Sequence, residues 1–225
     1  MEYILDTLNL NDIRTCAEYF PISGVTSNPS IVRQCGVADF YGHLREVRSI
    51  LGPGKSLHVQ VIGQTCEAIL QDAHAILQKT DSTVYIKVPV TMEGLKAVKA
   101  LKKEGISITA TAIYQKAQAL LAIEAGADYV APYYNRMMNM DIDADDVIET
   151  IALMIAKYNY NAKIVAASFK NMVQVNRAFL MGAQAVTVQP QLLYDLFKMP
   201  AIQKAVDDFG EDWKKAFGSR TPADL

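Results

Sequence analysis

Eight short β-type runs, separated by amphipathic helical patterns, constrain the fold of this 225-residue chain more than any other feature. The runs fall at residues 3–6, 24–27, 57–62, 83–88, 107–112, 128–133, 163–168 and 185–188. A helical pattern over 9–20 follows the first. Another carries the chain from the second run to about Leu51, ahead of a Gly52-Pro53-Gly54 turn. Strands alternating with helical stretches of this length build βαβ units around a parallel sheet. Eight such units are the number that closes a (β/α)8 barrel. An open, doubly wound sheet of five or six strands is the alternative. Its dinucleotide-binding form is weakened because no GxGxxG follows the first run.

No linker or shift of composition divides the chain, so one barrel domain over residues 1–225 is expected. A last helix is predicted over 200–217. Ile202, Val206, Phe209, Trp213 and Phe217 recur along it as one apolar stripe. From the stripe alone, this additional C-terminal helix either caps its own barrel or docks on a neighbouring subunit.

Composition narrows the partners. Apolar residues make up 51% and charged residues 20%, with a net charge of −2. Lys and Arg are scattered, so no nucleic-acid partner is expected. No apolar run reaches the length of a membrane span, and the segment from Met1 lacks the basic and apolar regions of a signal peptide. Cys16, Cys35 and Cys66 form no CxxC pair, which argues against a disulfide framework and fits a reducing, cytoplasmic setting. His43, His58 and His74 lack metal-ligand spacing, so no metal site is expected. His58 reads as a barrel-core residue. The acidic run from Asp141 to Asp146 reads as a helix N-terminus and lacks the glycine of a calcium loop. Lys96, Lys99, Lys102 and Lys103 read as the solvent face of the helix after the fourth run.

Strand parity locates candidate chemistry. Successive side chains of a strand face opposite sides. In Tyr85-Ile86-Lys87-Val88, the apolar pair Ile86 and Val88 suits the helix-facing side, which turns Lys87 inward. The same reasoning turns Gln60 and Thr111 inward, and places Asp6, Tyr133 and Ser168 at the ends of runs one, six and seven. Six runs thus each bring one polar residue to the C-terminal rim, where barrel enzymes hold their active sites.

Lys87 is the most informative of these. A buried ammonium loses hydration, so its pKa falls and the free amine becomes available to attack a ketone and form a Schiff base. The competing reading is a buried ion pair with Asp6, which adds little net stability. Asp6 is either an acid/base or the cap of the helix beginning near Asn9. Tyr133, Gln60 and Thr111 are candidates to hold a proton-carrying water. Asn28, ahead of Pro29, suits a helix N-cap and also a substrate-hydroxyl contact. Arg136, Ser168 and Lys170 lie on adjacent rim loops and suit a phosphate, although Arg136 alone also reads as a solvated loop residue.

Four segments carry a family resemblance: Gly24-Val25-Thr26-Ser27-Asn28-Pro29-Ser30-Ile31, Ile86-Lys87-Val88-Pro89-Val90-Thr91-Met92-Glu93-Gly94-Leu95, Ala131-Pro132-Tyr133-Tyr134-Asn135-Arg136 and Ala166-Ala167-Ser168-Phe169-Lys170. On these the chain resembles the transaldolase family, and within it the small fructose-6-phosphate aldolase subgroup. The resemblance implies a (β/α)8 barrel, Lys87 as the Schiff-base lysine, Asp6 as acid/base, hydroxyl contacts from Asn28, and phosphate contacts from Arg136, Ser168 and Lys170. It implies no metal or organic cofactor. Its implied partners are sugar phosphates and dihydroxyacetone, and its implied assembly is a homodecamer of two five-membered rings, with the terminal helix reaching a neighbour. Ser27 stands where the family usually has threonine, and keeps the hydroxyl. Gln60 and Tyr133 match the aldolase subgroup, where true transaldolases usually carry glutamate and phenylalanine. The expected reaction is reversible cleavage of fructose 6-phosphate to dihydroxyacetone and glyceraldehyde 3-phosphate. The alternative is transfer of the dihydroxyacetone unit between sugar phosphates of the pentose phosphate pathway.

Overall fold

A computed structural model describes residues 1–225. Eight parallel strands close into a barrel in sequence order: β1 (Glu2–Asp6), β2 (Ile22–Thr26), β3 (Ser56–Gln60), β4 (Tyr85–Pro89), β5 (Ile108–Ile113), β6 (Tyr129–Pro132), β7 (Lys163–Ala166) and β8 (Ala185–Val188). Closure is made by β1 against β8, where Ile4 pairs with Thr187 and Leu5 with Val188. The connecting helices are α1 (Leu10–Tyr19), α2 (Pro29–Gln34), α3 (Phe40–Leu51), α4 (Cys66–Lys79), α5 (Met92–Lys103), α6 (Lys116–Glu124), α7 (Tyr134–Met138), α8 (Ala144–Lys157) and α9 (Met172–Leu180). Two more follow, α10 (Pro190–Leu196) and α11 (Pro200–Phe217). The expected (β/α)8 architecture with an extra C-terminal helix is therefore present.

Local chemistry explains where the helices start. Asn9, Asn28, Asp39, Thr65, Thr91, Asp143 and Asn171 each accept a backbone N–H of the first turn of the helix they precede. Asp6 therefore does not cap α1, since Asn9 does so from three residues downstream. Asp143 caps α8, so the acidic run is a helix N-terminus as read from the sequence. The helical stretch expected up to Leu51 is two helices, broken where Gly36 takes a positive φ of 62°. Gly52 and Gly54 also adopt positive φ in the turn before β3. At Gly24 the reason is space: a Cβ there would collide with the Ser56 backbone on the neighbouring strand.

The period-two alternation holds around the barrel. Val25, Leu57, Val59, Ile86, Val88 and Ile164 are buried on one parity. On the other lie Ile4 and Asp6, Thr26, His58 and Gln60, Lys87, Thr109 and Thr111, Ala131, and Thr187. His58 is fully buried, as expected for a core residue. One helix-face expectation is corrected. Lys102 is half-buried and pairs with Asp128 at 2.8 Å, because its helix face abuts the start of β6 rather than water. No helix is long and apolar enough to cross a membrane.

Contacts divide the chain into two compact units, Met1–Pro190 and Gln191–Leu225. The first holds the barrel. In the second, the predicted 200–217 helix is found with the predicted bounds, and its apolar stripe is exposed, Phe209 to 71%. Trp213 packs on Phe217 with ring centroids 4.7 Å apart and donates Nε1–H to the Arg220 carbonyl.

Candidate active site

A cavity of about 350 Å³ opens at the C-terminal end of the strands. Asp6, Asn28, Lys87, Tyr133, Arg136, Ser168 and Lys170 all line it. Gln60 and Thr111, the other two residues singled out in the sequence, are not among its lining residues. Thr111 reaches in through a 3.0 Å hydrogen bond to the Tyr133 hydroxyl. Gln60 is the register partner of Lys87 and lines an adjoining cavity of about 320 Å³ with Ser27 and Asn28. Its Oε1 is buried without a hydrogen-bond partner.

Lys87 is buried, 3% exposed, and its Nζ donates to the Ser27 carbonyl at 3.0 Å. No carboxylate forms an ion pair with it. The alternative of a Lys87–Asp6 pair is thus not realised, although the Asp6 charge is felt. Burial pushes the Lys87 ammonium below the ordinary lysine range, and Asp6 offsets only part of this. Asp6 moves the opposite way. Burial raises its pKa, while Lys87, the Thr26 hydrogen bond and Arg136 each hold it down in part. Two groups whose pKa values are pushed toward one another suit proton exchange.

Tyr133 lies one residue beyond β6, at the head of α7, and Ser168 two residues beyond β7. Both therefore sit past the strand ends where the sequence placed them. The reason is local. Tyr133 makes only an isolated bridge to Ala167, and Ser168 takes a positive φ of 66°, which no strand can continue. Burial raises the Tyr133 pKa, with Thr111 and Arg136 opposing, so its hydroxyl stays protonated and able to donate. Thr111 keeps the regular inward parity of β5, and the strand is bulged just beyond it. Three steps from Ala110 to Ile113 face two on β6, and Ala112 absorbs the surplus at φ 59°.

The loops after β6 and β7 are laced together. Asn135 N–H donates to the Ser168 carbonyl, and Gln174 joins Asn135 Oδ1 to the Lys170 N–H. This fixes Arg136 relative to Ser168 and Lys170. The Arg136 guanidinium lies 4.7 Å from the Tyr133 ring centroid and donates to Tyr114 Oη at 3.4 Å. It is both exposed and cavity-lining, so the two sequence readings of Arg136 coincide. Asn28 likewise does two things. Its Oδ1 caps α2 through Ser30 and Ile31, which leaves its amide nitrogen free to donate.

Sequence reasoning missed Thr26 and Thr187. Thr26 donates to Asp6 Oδ1 at 2.8 Å, and its oxygen lies 2.6 Å from Thr187 Oγ1. The signal was available for Thr187, a lone polar residue on the inward parity of an otherwise apolar strand. No group of three or more His, Cys, Asp or Glu side chains comes together as a metal site would require.

A profile for the family described as transaldolase/fructose-6-phosphate aldolase matches residues 3–221. A Streptococcus pneumoniae (strain ATCC 700669 / Spain 23F-1) protein named probable fructose-6-phosphate aldolase is 54% identical over 221 residues. That alignment covers 98% of this chain and 100% of the relative.

Proposed function

The chain belongs to the transaldolase/fructose-6-phosphate aldolase family, and from that premise we propose that it cleaves fructose 6-phosphate reversibly to dihydroxyacetone and glyceraldehyde 3-phosphate through a Schiff base on Lys87. The observation that carries this reading is a buried, unpaired lysine facing a polar cavity, its pKa lowered by burial.

Neutral Lys87 attacks the C2 ketone of the open-chain sugar. The carbinolamine loses water and becomes an iminium. Asp6, as carboxylate, takes the proton from the C4 hydroxyl. The C3–C4 electron pair flows into the iminium, which becomes an enamine, and glyceraldehyde 3-phosphate leaves as the aldehyde. A proton delivered to C3 regenerates the iminium, and hydrolysis releases dihydroxyacetone and the free amine. Tyr133, held by Thr111, is the donor within reach, and the unpartnered Gln60 Oε1 supports a shuttling water beside it. Arg136, Lys170 and Ser168 grip the phosphate, and Asn28 contacts a substrate hydroxyl. The iminium serves as electron sink, so the lysine takes the place of a metal or organic cofactor.

The transaldolase reading uses the same lysine and enamine, and the family description covers both reactions. A Tyr133 hydroxyl that protonates the enamine favours cleavage. Borohydride with dihydroxyacetone should leave a covalent adduct that maps to Lys87; an adduct elsewhere, or none, overturns the assignment. Fructose 6-phosphate turnover that requires erythrose 4-phosphate would establish transfer instead. The exposed stripe on α11 supports the expected homodecamer, with this helix reaching a neighbour. The three cysteines form no disulfide, which fits a cytoplasmic setting.

A further inference from the structure

Asp6 accepts one hydrogen bond, from Thr26, and forms no ion pair. The charged and titratable groups that face it are Lys87 from β4, Arg136 from α7 and Tyr133 beyond β6. Its orientation therefore depends on what holds Thr26. A hydroxyl carries one proton and two lone pairs. When Asp6 is ionised it can only accept, so the Thr26 proton is committed to it. The 2.6 Å contact between the two threonine oxygens then requires Thr187 to donate to Thr26. Proton counting thus sets the direction of the whole chain, from Thr187 to Thr26 to Asp6.

The barrel explains how three distant residues meet. β1 lies between β2 and β8, Thr26 is the register partner of Asp6, and Thr187 is the partner of Ile4. The two threonines flank β1 from either side. Thr26 is 1% and Thr187 3% exposed, so bulk water does not compete for either hydroxyl.

We propose that Thr187 is a positioning residue for Asp6. Acting through Thr26, it holds the carboxylate in one orientation and favours its ionised form. The kinetic consequence rests on the reading of Asp6 as the acid/base of aldol cleavage. The structural consequence does not, and the test separates them.

The test follows the Asp6 carboxyl stretch by infrared spectroscopy as a function of pH in the ligand-free protein, the band being the one that disappears in Asp6→Asn. Thr187→Val should raise the Asp6 midpoint by about half to one pH unit, as expected for a lost hydrogen bond to the charged form. Thr187→Ser should restore the wild-type midpoint. Thr26→Val should raise it at least as far, and adding Thr187→Val to Thr26→Val should change nothing more. For cleavage of fructose 6-phosphate, Thr187→Val should lower kcat about three- to tenfold with KM within about twofold. An unmoved midpoint in Thr187→Val, a raised midpoint in Thr187→Ser, or additive shifts in the double variant would overturn the proposal. If Thr187→Val does not fold, Thr187→Ala is read by the same criteria. If the wild-type chain does not cleave fructose 6-phosphate, the functional reading fails while the infrared arm still decides the role of Thr187.

Discussion

The two ends of this barrel treat buried polar groups in opposite ways. Toward the N-terminal end, the buried ionisable groups are matched, and the one buried polar atom without a partner is the Thr80 hydroxyl at the end of α4. His58 bonds Thr109 at 2.7 Å and Ser56 at 2.9 Å and stacks on Tyr85. Tyr129 and Lys163 share the Glu2 carboxylate, and Arg48 is bound by Asp81, Thr83 and the Lys55 carbonyl. A concavity of about 1250 Å³ opens there, and within it Arg48 pairs with Asp81 and Lys163 with Glu2. At the C-terminal end, Lys87 is buried with no carboxylate in contact, Asp6 has one hydrogen bond, and Gln60 Oε1 has none. The matched end is built for stability. The unmatched end holds groups whose protonation is unsettled, which chemistry needs and stability does not.

Perturbing either end should separate these roles. The largest effect is expected for Lys87→Met. Cleavage and transfer should both fall by about 10⁴-fold or more. Its melting temperature should equal or exceed that of the wild type, because a desolvated ammonium is exchanged for an apolar side chain of similar shape. A calorimetric melt beside the assay checks both halves, and a strongly lowered melting temperature would erase the contrast.

At the other end the readout is acid stability. Burial, then the charges of Lys87 and Arg48, hold the folded His58 pKa down at about 3, against an ordinary value of 6.5. As pH falls below 6.5 the unfolded chain takes up a proton that the folded chain refuses. Stability is therefore lost between pH 6.5 and about 3, by roughly 4–5 kcal/mol at most. Asp6 acts in the opposite sense. Its folded pKa is raised, so the folded chain binds the proton first and regains stability as pH falls through that value. Urea unfolding from pH 7 to 4 should show the His58 slope, and His58→Gln should flatten it.

Tyr133→Phe should lower cleavage about 10²-fold, the range of a removed proton donor, and lower transfer to an aldose acceptor much less. Equal losses in the two assays would remove the role given to the hydroxyl. Arg136→Ala should raise KM for fructose 6-phosphate about 10–100-fold and barely change KM for a donor without phosphate. The smallest effect is expected from Glu2→Gln, about 1 kcal/mol or less by thermal melt, because the Glu2–Lys163 pair stands partly in water. Its activity should be unchanged.

The sequence was most legible where geometry is local. Alternation along a strand turned Asp6, Gln60, Lys87 and Thr111 inward without any knowledge of their neighbours. Side-chain caps marked helix starts such as Asn28-Pro29 and Asp143. It was less legible where the backbone leaves regular conformations. Tyr133 and Ser168 fall one and two positions past the strand ends, and neither Ser168 at φ 66° nor Ala112 at φ 59° is a residue type that announces a positive φ. Thr26 and Thr187, 161 positions apart, carry no pattern that pairs them.

The order of eight βα units, the inward-facing set and the terminal helix were determined by the sequence itself, because each rests on contacts between residues a few positions apart. Closure of β1 on β8, the hydroxyl chain across that seam and the unpaired state of Lys87 were decided only by the tertiary structure. A pKa set by desolvation belongs to the assembled barrel: the same lysine in the open chain is hydrated, and only burial among strands drawn from the whole length makes its amine available.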